Sequence, residues 1–168
     1  MERERTMAQA ARVSFTRHLL IDGANVAHGW PELRAMMRRE RDEARALLVR
    51  RVAVLHDEEQ MRVTVVFDGR GAELSIERPS GHATLSVLHT ASGVTADEVI
   101  EQLVAAAAEP ANCLVVTADR AERQTVAATG AHVLSPDDLA RWIAQVEERQ
   151  SGRLSDLRRD NEHKWRKR

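Results

Sequence analysis

The residues of this sequence that are best placed to do chemistry are four aspartates, each just beyond a predicted strand or in the first turn of the helix after one: Asp22, Asp68, Asp97 and Asp119. If the strands are parallel, their carboxyl ends meet at one edge of a sheet, where neighbouring strands lie about 4.8 Å apart. Carboxylates gathered there repel one another and raise each other's pKa. A hard divalent cation such as Mg²⁺ or Mn²⁺ removes that repulsion, because these ions prefer carboxylate and water oxygens. Such a site suits metal-assisted attack of water on a phosphodiester.

Each of these aspartates also has a purely structural explanation. Asp22–Gly23 and Asp68–Gly69 are common turn pairs. Thr95–Glu98 is a capping box, in which acids near a helix N-terminus also favour the helix dipole. Asp119, with Glu122 three residues later, has the pattern of a helix N-cap of the same kind. The pattern alone therefore leaves a metal site and a set of ordinary caps and turns as equal interpretations.

The elements that must position these acids form an alternating series. Apolar or β-branched runs predict strands at 18–21, 63–67, 85–89, 113–117 and 131–134, with 73–77 as a candidate short strand. Helical spacing predicts helices over about 41–58, from Thr95 onward, over about 120–129, and after Ser135. Buried strands separated by helices favour an α/β fold with a mainly parallel sheet covered on both faces. Right-handed crossovers then give a three-layer α/β/α Rossmann-like sandwich, with its ligand site at the carboxyl ends of the strands.

Length and composition favour one globular domain with two polar appendages. The chain has 168 residues, of which 43% are hydrophobic and 30% are charged. The predicted domain covers 18–149, between a polar arm at 1–17 and a basic tail at 150–168. No segment has the length and hydrophobicity of a membrane span or of a secretory signal. A single cysteine, Cys113, excludes an internal disulfide framework and a multi-cysteine zinc site. These observations favour the cytoplasm.

Charge is distributed unevenly along the chain. Residues 149–168 carry a net charge of +5, and the remaining residues carry −6. An acidic body with a basic tail is compatible with a nucleic-acid partner held partly by the tail. A solvated helical extension explains the same charge without any partner.

Five segments together resemble the NYN domain family, in its YacP-like branch, within the PIN-like nuclease superfamily. They are LLIDGANVAHGWPEL (19–33), VTVVFDGR (63–70), GVTADEVIEQLV (93–104), VVTADRAER (115–123) and GAHVLSPDDL (130–139). The resemblance implies a PIN-like fold and Mg²⁺- or Mn²⁺-dependent endoribonuclease activity on RNA. Some members of this branch are similar to ribosome-associated ribonucleases, so mRNA on the ribosome is a candidate substrate. A homodimer is a candidate assembly.

The resemblance also implies roles for individual residues. The family's catalytic positions match Asp22, Asn25, Asp68, Asp97, Glu98 and Asp119. Of these, Asp22, Asp97 and Asp119 are expected to bind the metal, and Asn25 is expected to position substrate or a metal-bound water. The candidate substrate contacts are Thr117, Trp30, Arg70, Arg120 and Arg123, with Arg34 and Arg38 as further candidates near the site.

One position departs from the family pattern and bears on the alternatives. Many relatives carry an aromatic residue where this chain has Ala24, and the chain has only five aromatic residues, so we expect arginine–phosphate contacts to dominate recognition.

The alternative function is a catalytically silent RNA-binding module of the same fold, although clustered acids without a metal would not help such a module. An aspartyl phosphatase is excluded because its second aspartate would fall at Ala24. A dinucleotide site is excluded because the first turn contains no G-x-G-x-x-G.

Overall fold

A six-stranded sheet forms the centre of the computed structural model, which describes residues 15–166. The strands are β1 (His18–Asp22), β2 (Arg62–Gly71), β3 (Ser75–Glu77), β4 (Leu85–Ala91), β5 (Cys113–Val116) and β6 (His132–Leu134). Their order across the sheet is β3-β4-β2-β1-β5-β6. All neighbours are parallel except β3, which pairs antiparallel with β4 at one edge. The predicted mainly parallel α/β sheet is confirmed.

Six helices cover the two faces of this sheet: α1 (Gly23–Gly29), α2 (Pro31–Met37), α3 (Arg41–Glu59), α4 (Ala96–Ala106), α5 (Arg120–Ala128) and α6 (Pro136–Arg166). Helices α1, α2, α3 and α6 contribute to one buried cluster with side chains of β1 and β2 such as Leu19 and Val65. Helices α4 and α5 pack on the opposite face through Ile100 and Val126. Because successive strand residues alternate between faces, β1 contributes Ile21 to the first cluster and Leu20 to the second. The three-layer α/β/α arrangement is therefore confirmed.

The segment between β1 and α3 folds into two short helices that the sequence pattern did not predict. Each of them is seven residues long, and each buries few side chains, which are Val26 and Ala27 in α1 and Leu33 in α2. A helix of only two turns contains too few apolar positions for its helical period to be recognised in the sequence. Pro31 occupies the first position of α2, where its missing N–H has no cost.

The longest helix, α6, extends well beyond the body of the domain. It is continuous through residues 150–166 of the predicted basic tail, and the rest of that tail lies outside the described residues. Its middle part is fixed to the end of α3, since Arg149 binds Glu59 at 2.7 Å and Arg153 pairs with Glu58. Beyond Arg153 every described residue is exposed. Residues 1–14 of the predicted polar arm also lie outside the described residues.

Within residues 15–166, no helix combines the length and the apolar character needed to cross a bilayer.

Candidate metal centre

Three acidic side chains meet where β1 ends and where α4 and α5 begin. Asp22 is the last residue of β1, Asp97 lies in the first turn of α4, and Glu122 lies in the first turn of α5. Each offers a carboxylate oxygen, and these three oxygens lie within 4.8 Å of one another. The sheet topology explains this convergence, because β1 lies at the centre of the sheet and both helices start at the same carboxyl edge. The three acids thus form one cluster, which we call the acid cluster.

Glu122 is buried among like charges. It is 2% exposed, and neither carboxylate oxygen accepts a hydrogen bond from residues 15–166. Burial raises the pKa of Glu122 to about 8, and the charges of Asp97 and Asp22 act in the same direction, while the nearby Thr117 hydroxyl opposes them. A buried carboxylate of this kind is costly unless a proton or a cation neutralises it.

Asp22 is equally buried but is held in place by its neighbours. It is 3% exposed, and burial raises its pKa to about 6, helped by close approach to Asp97. Asn25 opposes that shift by donating twice to Asp22, from its backbone N–H to Oδ1 at 3.2 Å and from Nδ2 to Oδ2 at 2.9 Å. The Asn25 side-chain oxygen accepts from the backbone N–H of Ala118 at 3.2 Å. Asn25 therefore orients Asp22 and links the end of β1 to the segment that follows β5.

Asp119, predicted as a metal ligand, lies outside the acid cluster. Its side chain is exposed and caps α5, since Oδ1 accepts from the backbone N–H of Glu122 at 3.0 Å. The sequence pattern indicates Glu122 only as the partner of Asp119 in that cap. The signal that distinguishes the two acids is helical spacing: Val126 is four residues after Glu122 and is 1% exposed, so Glu122 shares the buried face of α5.

The other two predicted acids are Glu98, in the first turn of α4, and Asp68, which lies in β2 and contacts the start of α4. Asp68 is exposed, and its Oδ1 accepts from the backbone N–H of Ala96 at 2.8 Å, which fixes the start of α4 to the end of β2. Glu98 is exposed, and its backbone N–H donates to Thr95 Oγ1 at 3.2 Å. Neither belongs to the acid cluster. Asp68 instead supports the turn that carries Asp97.

The predicted substrate contacts fall into buried and exposed groups. Trp30 is 4% exposed, and its Nε1 donates to the carbonyl of Pro136 at 2.8 Å, so it lies in the core and has no free face for a base. Thr117 is fully buried beside Glu122. Arg120 is exposed and Arg123 is half-buried, and both line a recess of about 530 Å³ at the start of α5. The remaining candidates, Arg34, Arg38 and Arg70, are exposed.

The glycines that follow Asp22 and Asp68 are required by close packing. A Cβ on Gly23 would overlap the Phe67 ring, and a Cβ on Gly69 would overlap the carbonyl oxygen of Thr90. Neither glycine has a positive φ. The left-handed turn conformation that usually explains an Asp-Gly pair therefore does not explain these two pairs. They let β2, β4 and α1 approach closely beside the acids.

The donor set of the acid cluster fits a hard divalent cation. All three groups offer carboxylate oxygens, which Mg²⁺ and Mn²⁺ prefer. The unpartnered, buried oxygens of Glu122 need the positive charge that such an ion supplies. Asp22, Asp97 and Glu122 are therefore the residues that would hold it.

Comparison with known proteins gives a consistent result. The YacP-like NYN domain matches residues 19–168. The protein YacP of Bacillus subtilis is 32% identical over 132 residues, which cover 78% of this chain and 77% of the relative.

Solved structures agree with the sequence match. The crystal structure of Rae1 (YacP) from Bacillus subtilis superposes with a TM-score of 0.68 at 29% identity, covering 85% of this chain and 82% of the other. A crystal structure of a mutant of the same protein gives the same TM-score and identity over 83% of this chain. The fold, the order of the elements and the match over most of the sequence agree. The chain belongs to the YacP-like NYN domain family.

Proposed function

We propose that this chain is a metal-dependent endoribonuclease that hydrolyses RNA phosphodiester bonds at the acid cluster. The observation that carries the proposal is Glu122, a buried carboxylate with no hydrogen-bond partner among the described residues, held within 4.8 Å of Asp22 and Asp97. A protein that only binds RNA gains nothing from such a group, because it weakens the fold and repels phosphate. Membership of the NYN domain family supports a nuclease-like hydrolase.

The proposed division of labour follows the contacts around the cluster. Asp22, Asp97 and Glu122 would hold Mg²⁺ or Mn²⁺. When bound, such an ion polarises a phosphoryl oxygen and lowers the pKa of water, which makes hydrolysis possible at neutral pH. Asn25 keeps both oxygens of Asp22 oriented through its two hydrogen bonds. Asp119 fixes the backbone of Glu122.

Two further residues complete the proposed site. Asp68 anchors the start of α4 and thereby positions Asp97. Arg120 is exposed at the first position of α5, close to the acids, and is suited to bind a substrate phosphate through charge-assisted hydrogen bonds. The proposed site therefore retains an arginine among the substrate contacts that the sequence suggested. It does not include Trp30, which is buried in the core.

RNA is the proposed substrate class, and the cytoplasm is the proposed compartment. The mRNA on the ribosome stays a candidate substrate through the family resemblance. The homodimer stays a prediction, to be checked by light scattering.

The test compares wild type with Glu122→Gln on structured and single-stranded RNAs, each with Mn²⁺, with Mg²⁺ and with EDTA. Glu98→Gln is the matched control, because it removes an exposed acid at the start of a neighbouring helix outside the cluster. We expect cleavage by wild type and Glu98→Gln, and none by Glu122→Gln or in EDTA. Equal cleavage by wild type and Glu122→Gln would refute the proposed site. If wild type neither cleaves nor binds Mn²⁺ in calorimetry, the RNA-binding module becomes the better interpretation.

A further inference from the structure

A second recess lies between α3 and β4, on the face of the sheet opposite to α4 and α5. It has a volume of about 410 Å³, and we call it the α3–β4 groove. The side chains that matter for its chemistry are Asp42, Arg45, Arg50, Phe67, Glu77 and His89. Phe67 connects the groove to the acids, because its ring packs against Gly23, the residue directly after Asp22.

Two arginine side chains line this groove without an acidic partner. The guanidinium carbon of Arg45 lies 4.9 Å from the centre of the Phe67 ring, and its buried Nε has no hydrogen-bond partner within residues 15–166. Over the same part of the chain, neither Arg45 nor Arg50 forms an ion pair. By contrast, the next arginine of α3, Arg51, pairs with Glu32 and lies over the Trp30 ring. Arginines in a recess that form no ion pair within the described residues can donate hydrogen bonds to a ligand.

His89 adds a planar surface to the groove. Its ring stacks on Phe67, with the ring centres 5.7 Å apart and the planes inclined by 23°. Its side chain is 25% exposed, so part of it faces the recess. Histidine rings and arginine guanidinium planes are surfaces on which unpaired RNA bases stack.

The charges in the groove distinguish a base from a phosphate. Asp42 and Glu77 line it together with Arg45 and Arg50, and Glu77 Oε1 is 3.8 Å from His89 Nε2. A bare phosphate would be repelled by the two carboxylates. A base that carries both acceptors and donors is better matched, and guanine fits best, because its O6 and N7 together accept from one arginine while its N2 amino group donates to a carboxylate.

The position of the groove suits a nucleotide next to the cleaved bond. In the sheet, Asp22 is in register with Val66 of β2, and the next residue, Phe67, is in register with His89 of β4. His89 is therefore two strand spacings, roughly 10 Å, from the end of β1. Arg120 lies on the other side of the acids, beyond β5. An RNA strand crossing the edge of the sheet would thus meet cationic side chains on both sides of the cluster.

We infer that the α3–β4 groove binds a guanine base of single-stranded RNA adjacent to the scissile phosphodiester, with His89 and Arg45 as the stacking surfaces. This inference rests on the proposed ribonuclease function for the position of the base along the substrate. Binding itself does not require cleavage, so the two can be tested separately.

The experiment measures binding of labelled pentanucleotide RNAs, UUGUU and the versions with A, C or U at the centre, by fluorescence anisotropy in EDTA at low salt. The proteins are wild type, Arg45→Gln, Arg50→Gln and Arg62→Gln. Arg50 is exposed, so its replacement tests the groove even if Arg45→Gln weakens the fold, which thermal unfolding would reveal. Arg62 is also exposed but lies at the amino end of β2, which makes it the matched control.

We expect wild type and Arg62→Gln to bind UUGUU about tenfold more tightly than the other three RNAs. Arg45→Gln and Arg50→Gln should lose most of that preference. Equal binding of all four RNAs by wild type would overturn the inference, and so would a loss that is the same for all four, because that indicates a phosphate contact. A guanine preference in a protein that does not cleave RNA would support the groove while refuting the proposed nuclease.

Discussion

His18 and Glu122 are ionisable side chains shielded from solvent at opposite ends of the sheet, and their surroundings differ completely. At the amino end, His18 Nε2 lies 2.7 Å from Thr64 Oγ1. Burial lowers the pKa of His18 to about 4, and the positive charge of Arg62 acts in the same direction. This histidine is neutral at pH 7 and has a partner. At the carboxyl end, Glu122 has no partner among residues 15–166 and lies among like charges.

This contrast separates structural polar groups from functional ones. Buried polar groups in folded proteins almost always have a hydrogen-bond partner, so an exception needs an explanation. His18 follows that rule and contributes to the sheet. The acid cluster violates it at Glu122, whose unpartnered oxygens lie close to those of Asp22 and Asp97. We interpret that cost as the consequence of a site built for a cation rather than for the stability of the fold.

The largest expected effect comes from removing one charge of the cluster. Asp22→Asn should lower RNA cleavage by at least about 100-fold, because even the residues that only support metal ligands commonly contribute about 10–100-fold. Glu122→Gln should raise the thermal stability of the metal-free protein, because it removes a buried negative charge whose oxygens accept no hydrogen bond from residues 15–166. In wild type, Mn²⁺ at 100 times its Kd should stabilise the fold by about 2.7 kcal/mol, and Asp22→Asn should not respond. Differential scanning fluorimetry with and without Mn²⁺ checks this.

Glu98→Gln is the control for that experiment, since it should keep the response to Mn²⁺. If Glu122→Gln were less stable than wild type in EDTA, the buried charge of the cluster would contribute to the fold. The contrast with His18 would then be wrong.

The second prediction concerns the close packing beside the acids. Gly69→Ala should destabilise the protein by about 3 kcal/mol, because the added Cβ meets the backbone carbonyl of Thr90, which cannot move aside easily. Gly23→Ala meets the Phe67 ring and should cost less, about 1–2 kcal/mol. Gly71→Ala in the same strand is the control, because its nearest neighbour lies at 3.6 Å. Urea unfolding measures all three. An equal loss for Gly69→Ala and Gly71→Ala would contradict the packing argument.

The sequence allowed the sheet and two members of the acid cluster to be predicted, for physical reasons that also explain what was missed. Asp22 and Asp97 directly follow a strand or open a helix, so parallel topology alone brings them to one edge. Glu122 has the same sequence context as a capping glutamate, and the sign that separates it from one is its spacing of four residues from Val126, which puts it on the buried face of α5. No local sequence pattern indicates that Trp30 is buried, because the carbonyl that accepts its hydrogen bond belongs to Pro136, which is distant in sequence.

The third prediction uses the pH dependence of the acid cluster. The pKa of Glu122 is about 8 in the folded protein and 4.5 without the fold, so the folded state binds more protons between these values. Metal-free stability should therefore fall as pH rises through that range, by at most about 1.4 kcal/mol per pH unit for one proton. Glu122→Gln should flatten the slope. Urea unfolding in EDTA across this range measures it, and an unchanged slope in the variant would contradict the prediction.

The smallest expected effect tests the other end of the sheet, where the sign is reversed. The pKa of His18 is about 4 in the folded protein against 6.5 without the fold, so between these values the unfolded state binds more protons. This histidine therefore makes stability rise with pH from about 4 to 6.5, and the contribution is lost as pH falls. His18→Gln retains a group that can bond to Thr64 but does not titrate. Its stability relative to wild type should increase toward low pH in urea unfolding, whereas a pH-independent difference would show that His18 is not held neutral by the fold.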